Sequence, residues 1–131
     1  MRDILLFTKE PVLPEKCLPH LTGCFRHGVA NGAQGFMLEK PSTLFFEMEN
    51  EPLSIASDMD FPAEEKAQIR RFFGAEECYV CQIGYHRSED VKRLLRALSD
   101  IVSPLYLFVD EAGEEGGYCP AEAYLQRNFA Y

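Results

Sequence analysis

The stretch that decides the fold class is SEDVKRLLRALSDIVSPLYLFV, residues 88–109. Its first two thirds carry apolar residues at every third or fourth position, which is the spacing of one face of an α-helix. Ser88 is a favourable N-cap, and Pro104 ends the helical pattern. The run that follows, 105–109, is almost unbroken in apolar residues, as is typical of a strand buried on both faces. The stretch therefore predicts a helix over 88–102 that leads into a central strand.

The predicted helix divides its residues between the core and the solvent. Its buried side carries Val91, Leu94, Leu95 and Leu98, and its solvent side carries Lys92, Arg93 and Arg96. We therefore expect Leu95 to contribute much more than Lys92 to the stability of the fold.

Four further strands and three further helices are expected outside this stretch. The expected strands cover 3–8, 36–39, 43–50 and 78–85. The expected helices are a short one after Pro14, one with Pro62 at its first position and Gly74 after its end, and one that begins at Cys119-Pro120. Residues 28–35 hold three glycines and predict a loop, and residues 52–60 predict a connector.

These elements predict an α+β fold in one domain, residues 1–131, with the order β-α-β-β-α-β-α-β-α. We expect a single mixed sheet of about five strands with the helices packed on it. The strands on either side of the 88–102 helix should be parallel neighbours, joined by a right-handed crossover. The strands 36–39 and 43–50 should form an antiparallel hairpin around Pro41-Ser42.

The composition favours a soluble globular protein. Hydrophobic residues make up 47% of the 131 residues, and charged residues make up 26%. The 21 acidic residues outnumber the 13 basic ones, so the net charge is −8 and a phosphate backbone would repel the chain. The opening apolar run, Ile4-Leu5-Leu6-Phe7, is too short for a signal peptide, and no apolar stretch reaches the length of a membrane span. We therefore expect a cytoplasmic protein that binds neither nucleic acid nor membrane.

The five cysteines favour free thiols over a disulfide framework, because their number is odd and no export signal is present. Cys78 and Cys81 have the CxxC spacing of redox and zinc motifs. They lie on a predicted strand, however, where residues three apart point to opposite faces. A redox pair would instead begin a helix, whose N-terminus lowers the pKa of the attacking thiol. Both residues are therefore expected to be ordinary buried cysteines.

Cys17, His20, Cys24 and His27 form a second pattern, with soft ligands at offsets of 0, 3, 7 and 10. Tetrahedral zinc accepts a Cys2His2 set. Pro19 and Gly23 would interrupt a helix that carried the four residues, and one helical face cannot surround one ion. Two half-buried thiols and two surface histidines are the favoured interpretation, and a metal- or thiol-dependent protein is kept as the alternative.

Sequence motifs of catalysis are absent. The chain has no GxGxxG after a strand, no P-loop and no GxSxG. The glycine-rich run 113–117 contains two glutamates, which would repel a phosphate, and it lacks the alternating carboxylates of an EF-hand loop. We therefore expect a protein that is not an enzyme and needs no cofactor.

Acidic residues are concentrated in two blocks. Residues 36–65 hold one basic and eight acidic residues, a net charge of −7, and residues 110–131 hold one and five, a net charge of −4. Both blocks follow a predicted strand, so we expect them to gather at one edge of the sheet. They are either a solubilising surface or, with aromatic anchors, a binding face. The candidate partner-binding residues are Phe45, Glu47, Glu49, Glu51, Asp58, Asp60, Asp110, Glu111, Glu114, Glu115 and Tyr118.

The C-terminal segment, 105–131, combines a strand, an acidic turn and a short helix. The strand leads into Asp110-Glu111, a glycine turn follows, and residues 118–125 predict the helix. This ending resembles that of small acidic immunity proteins from bacterial toxin–immunity systems, which include polymorphic toxins and contact-dependent inhibition. The resemblance implies a stoichiometric inhibitor of a cognate toxin, often a basic nuclease. It transfers no individual binding residue.

These observations lead to one functional hypothesis and one alternative. The hypothesis is a non-enzymatic, immunity-type inhibitor that masks a basic partner with an acidic face, which would speed association at low salt. The alternative is the metal- or thiol-dependent protein that would use Cys17, His20, Cys24 and His27.

Overall fold

A computed structural model of the chain describes residues 2–17, 19, 25–30, 33–38, 43–49, 51–109 and 117–126. The strands are β1 (Arg2–Thr8), β2 (Phe25–Ala30), β3 (Ala33–Leu38), β4 (Leu44–Glu49), β5 (Leu53–Ser54), β6 (Glu77–Tyr85), β7 (Leu105–Val109) and β8 (Gly117–Pro120). The helices are α1 (Pro14–Cys17), α2 (Ala63–Phe73), α3 (Ser88–Ser99) and α4 (Ala121–Leu125).

Seven of the strands form one sheet in the order β2-β3-β4-β6-β1-β7-β8, and the short β5 pairs with β6. Every pair is antiparallel. The α+β class is confirmed, whereas the expected mixed sheet of about five strands is wrong in both strand number and direction.

The strands β6 and β7, on either side of α3, are not the parallel neighbours that the sequence predicted. Both are antiparallel to β1, which lies between them. They therefore run in the same direction but are two strand spacings apart, about 10 Å. A helix is about as wide, so α3 can cross over one intervening strand. The first strand of the chain, β1, therefore lies between them and pairs along both of its edges.

Residues 28–30 and 33–35 are not part of the predicted loop but of the paired strands β2 and β3, in which Gly28 lies opposite Gly35. Residues 31–32 lie outside the described residues. A side-chain carbon on Gly35 would collide with the backbone carbonyl oxygen of Phe46 in β4. The glycine therefore permits a close approach of strands. The predicted hairpin of β3 and β4 is confirmed, and the rings of Phe36 and Phe46 stack across it at 4.8 Å.

Side chains alternate between the two faces of the sheet and build two cores. The first core lies under α3 and α4, and its strand residues are Ile4, Leu6, Phe36, Leu44, Phe46, Met48, Cys81, Ile83, Tyr85, Leu105, Leu107, Val109 and Cys119. The second core lies under α2 on the opposite face, and its buried residues are Phe7, Ile55, Met59, Ile69, Phe73, Cys78 and Tyr106. The predicted helix that begins at Pro62 and ends before Gly74 is thus confirmed on one face, and that of 88–102 on the other.

Several boundaries differ from the predictions by a few residues. Pro62 is the N-cap of α2 instead of its first residue, and Gly74 ends the helix in the left-handed conformation, as predicted. Arg87 is the N-cap of α3, Ser88 is its first residue, and the helix ends at Ser99 instead of 102. Cys119 and Pro120 close β8, so α4 begins one residue after them.

Lys92 does not lie on the solvent side of α3. Only 5% of the surface of Lys92 and 1% of that of Asp90 are accessible, whereas Arg96 is exposed as predicted. The buried arc of α3 is wide because the helix contacts α4 as well as the sheet. Lys92 buries its aliphatic stem in that arc, and its Nζ lies 3.8 Å from Oε1 of Glu89.

Candidate protein-binding face

The two strands that lead into the acidic blocks run in opposite directions. The strand β4 leads into the first block and β7 into the second. Because β4 is antiparallel to β6, β6 to β1 and β1 to β7, β4 and β7 run in opposite directions. Val109, the last residue of β7, lies in the same row as Phe46 in the middle of β4, and the expected single acidic edge stays a prediction. Asp110, Glu111, Glu114 and Glu115 lie outside the described residues, so their part in a site stays a prediction.

The first acidic block includes β4 and β5, which both pair with β6. Met48 of β4 pairs with Cys81, and Leu53 of β5 pairs with Cys78. Between these two pairs the chain has four residues, 49–52, where β6 has only two, 79 and 80, so β4 and β5 do not continue one another in register. Glu47 and Glu51 are exposed on either side of position 49. Glu49 belongs to β4, but its side chain is outside the described part of the structure.

The connector after β5 carries further acidic residues in a turn that two hydrogen bonds hold. The backbone N–H of Ser54 donates to Oδ2 of Asp58 at 2.7 Å, and the N–H of Asp58 donates to the carbonyl of Ser54 at 2.9 Å. Ile55 and Met59 are buried in the second core, whereas Asp58 and Asp60 are exposed. The connector therefore anchors itself by two apolar residues and presents two carboxylates to solvent.

Phe45 is the exposed large hydrophobic residue of the described chain, with 40% of its surface accessible. It lies on the second face of the sheet, opposite Met37 on one side and Gly84 on the other. The next row on this face places Glu47 between Gly35 and Gln82. The second core under α2 contains none of these residues.

One further residue completes this region. Asp3 of β1 pairs with Gly84, and it shares its face with Leu5 and Phe7, as alternation requires. It is exposed, as are Glu47 and Gln82. We call the four residues Asp3, Phe45, Glu47 and Gln82 the open corner. Asp3 and Gln82 were missed at the sequence level because alternation gives the face of each residue but not the order of the strands.

Tyr118 is not an anchor beside Phe45. Its ring packs against Phe108 and Phe61, with centroid distances of 4.6 and 5.3 Å, at the edge of the second core. Four strand spacings, about 19 Å, separate β8 from β4. Burial, with a smaller contribution from the nearby Glu65, raises the pKa of Tyr118 to about 12. Its ring therefore belongs mainly to the core.

The cysteine predictions are confirmed where the structure describes them. Cys81 lies in the first core and Cys78 in the second, so the CxxC pair points to opposite faces. Burial raises the pKa of Cys17 to about 11 and that of Cys78 to about 12, which disfavours the thiolate. Burial also raises the pKa of Cys81, and the neighbouring Cys17 and Cys78 add to that shift.

The alternative metal site is only partly covered by the structure. Cys17 is buried in the first core, and His27 belongs to β2, where its side chain is not described. His20 and Cys24 lie outside the described residues. Within the described ranges, no three histidine, cysteine or acidic side chains are grouped so that they could hold a metal ion.

No protein-family model, curated protein or solved structure matches this chain. None of the helices in the described ranges is both long enough and apolar enough to cross a membrane. The resemblance of residues 105–131 to immunity proteins is thus carried by the sequence alone, and the function is inferred from the geometry of the acidic face.

Proposed function

We propose that the chain is a non-enzymatic binding protein of the immunity type, which masks a basic protein partner in the cytoplasm. The observation that carries the proposal is the set of exposed carboxylates on β4, shortly after it and in the connector that follows β5, together with the exposed ring of Phe45. These carboxylates are Glu47, Glu51, Asp58 and Asp60.

The placement of these charges favours binding over a purely solubilising role. Exposed carboxylates such as Glu47 and Glu51 repel other carboxylates, so the isolated protein gains no stability from their charge, whereas Asp58 also fixes its turn by accepting the N–H of Ser54. A basic partner would relieve that repulsion and would be attracted before contact, which raises the rate of association. An aromatic side chain among charges is also a common anchor at the centre of a protein interface.

The test uses each basic protein that is encoded beside the gene, purified separately, and measures its association with this chain at low and high salt. The variant carries Glu47→Lys and Glu51→Lys. The matched control carries Asp100→Lys and Glu122→Lys, which change the net charge equally at exposed positions on α4 and at the C-cap of α3.

We expect the first variant to associate at least about tenfold more slowly at low salt, and the control to change by less than about threefold. High salt should reduce both differences because it screens exposed charges. Equal rates for the parent and both variants would overturn the proposal. So would the failure of every basic neighbour to bind at low salt.

A further inference from the structure

The open corner places an aromatic ring and a carboxylate on either side of a glycine. Phe45, Gly84 and Asp3 occupy three adjacent strands in one row of the second face. Gly84 contributes no side chain and is itself buried, so the accessible surface here consists of the ring of Phe45 and the carboxylate of Asp3. The strands β4 and β1 are two spacings apart, about 10 Å between their axes.

Acceptors lie along the next row of the same face. Glu47 follows Phe45 by two residues and lies opposite Gln82, which precedes Gly84 by two residues. Both side chains are exposed. The corner therefore combines one exposed ring, two carboxylates and one amide carbonyl within two rows, which are about 7 Å apart along the strands.

This combination fits one side chain better than any other. A guanidinium is planar, stacks on an aromatic ring and donates hydrogen bonds in its own plane to carboxylates on its rim. A lysine ammonium is more strongly hydrated and provides no flat surface for the ring. We propose that the open corner binds an arginine side chain of the partner, which stacks on the exposed ring of Phe45 and donates to Asp3, Glu47 and Gln82 as acceptors. This proposal rests on the proposed function, because it names the group by which the basic partner is held.

A second copy of this chain is not the expected occupant. The net charge of −8 and the carboxylates around Phe45 would repel an identical surface. Sedimentation at high protein concentration provides the check. A dimer that Phe45→Ser disrupts would assign the corner to self-association and overturn the proposal.

The experiment titrates isotope-labelled protein with three blocked amino acids and follows the backbone amides by NMR. The probes are N-acetyl-arginine amide, N-acetyl-lysine amide and N-acetyl-citrulline amide, of which the last has the shape of arginine without its charge. We expect the arginine probe to shift the amides of residues 3, 45, 47, 82 and 84, and to bind roughly two- to fivefold more tightly than the lysine probe. The citrulline probe should not bind measurably.

Two variants separate the contribution of the Phe45 ring to binding from that of the Asp3 charge. Phe45→Leu should abolish the preference for arginine over lysine, whereas Asp3→Asn should weaken both probes together. Glu122→Gln, an exposed position on α4, is the matched control and should leave both affinities unchanged. Equal binding of arginine and lysine, shifts spread over all exposed carboxylates, or no effect of Phe45→Leu would each overturn the proposal.

Arg26 lies opposite Met37 in the register of β2 and β3, in the same row as Phe45. If Arg26→Gln alone raised the affinity for the arginine probe at least about threefold, the corner would belong to the chain's own arginine, and the proposal would fail.

The two proposals fail in different ways. If the arginine probe does not bind the corner while Glu47→Lys with Glu51→Lys still slows the partner, only the arginine site is wrong. If the probe binds as expected while no basic neighbour responds to charge reversal, the proposed function is wrong.

Discussion

Lys92 and Gly35 each lie in an environment that is unusual for their residue type. A lysine at the edge of a helical stripe is usually solvated, yet the long stem of Lys92 is buried in the wide arc of α3. Glycine usually marks a turn, yet Gly35 lies in the middle of β3, where the carbonyl of Phe46 leaves no room for a side chain. Both outcomes depend on residues far away in the sequence.

Gly35→Ala should destabilise the protein by about 1–3 kcal/mol, because the added carbon forces β3 and β4 apart. Gly74→Ala is the control. Gly74 has a positive φ of 63° but no atom near an added carbon, so its cost of about 1 kcal/mol comes from the backbone alone. Urea unfolding measures both. A Gly35→Ala protein as stable as the parent would show that the strands are not in such close contact.

Met48→Leu should cost about 1–3 kcal/mol, although the volume barely changes. The buried backbone N–H of Val12 donates to Sδ of Met48 at 3.0 Å, and leucine would leave this donor without a partner. Met59→Leu is the matched control, because Met59 is also buried and should cost less than about 1.5 kcal/mol. Equal losses in urea unfolding would mean that the sulfur is not a significant acceptor.

At the scale of elements, α3 was predicted from its periodicity and confirmed, with an error of three residues at its end. An amphipathic helix is readable because its apolar residues repeat at a local spacing that does not depend on the rest of the fold. The hairpin of β2 and β3 was missed, although Asn31-Gly32 between two short strands is a strong hairpin signal. Three glycines within residues 28–35 predicted a loop instead.

Leu95→Ala should destabilise the protein by about 2–4 kcal/mol, because Leu95 is fully buried in the first core. The neighbouring Arg96 is exposed, so Arg96→Ala should change stability by less than about 0.5 kcal/mol. Lys92 is unsuitable as this control because it is buried. Similar small losses in a denaturant titration of the two variants would contradict the packing of α3 on the sheet.

At the scale of the whole molecule, the sheet brings Asp3, Phe45 and Gln82 together from three separate strands. The sequence identified Phe45 and Glu47, because both stand out within β4. It could not identify Asp3 or Gln82, since neither is unusual in its own strand.

The stability of the whole fold should fall as the pH rises from about 9 to 12. The thiols of Cys17 and Cys78 have a reference pKa of 9.0, and burial raises their pKa in the folded chain to about 11 and about 12. The unfolded chain therefore loses these protons first, so the contribution of the two thiols to stability is fully present below about pH 9 and decreases through that window. Urea midpoints at several pH values measure the loss.

The variant Cys78→Val isolates one thiol, because valine is buried without a titrating group. Its midpoint should fall less steeply between pH 9 and 12 than that of the parent. Identical slopes would mean that Cys78 does not contribute to the alkaline loss.

The sequence by itself determined where several helices and strands lie: α2, α3, β1, β6 and β7 follow from local periodicity, from apolar runs and from end signals such as Pro62 and Gly74. It also determined which strand residues share a face, as Cys78 and Cys81 show. Only the tertiary structure decided that β1 lies between β6 and β7, that Lys92 is buried and that Asp3 faces Phe45 across Gly84. Hydrogen bonds between strands join backbone groups that every residue carries, so the order of strands depends on how the cores pack around the whole sheet.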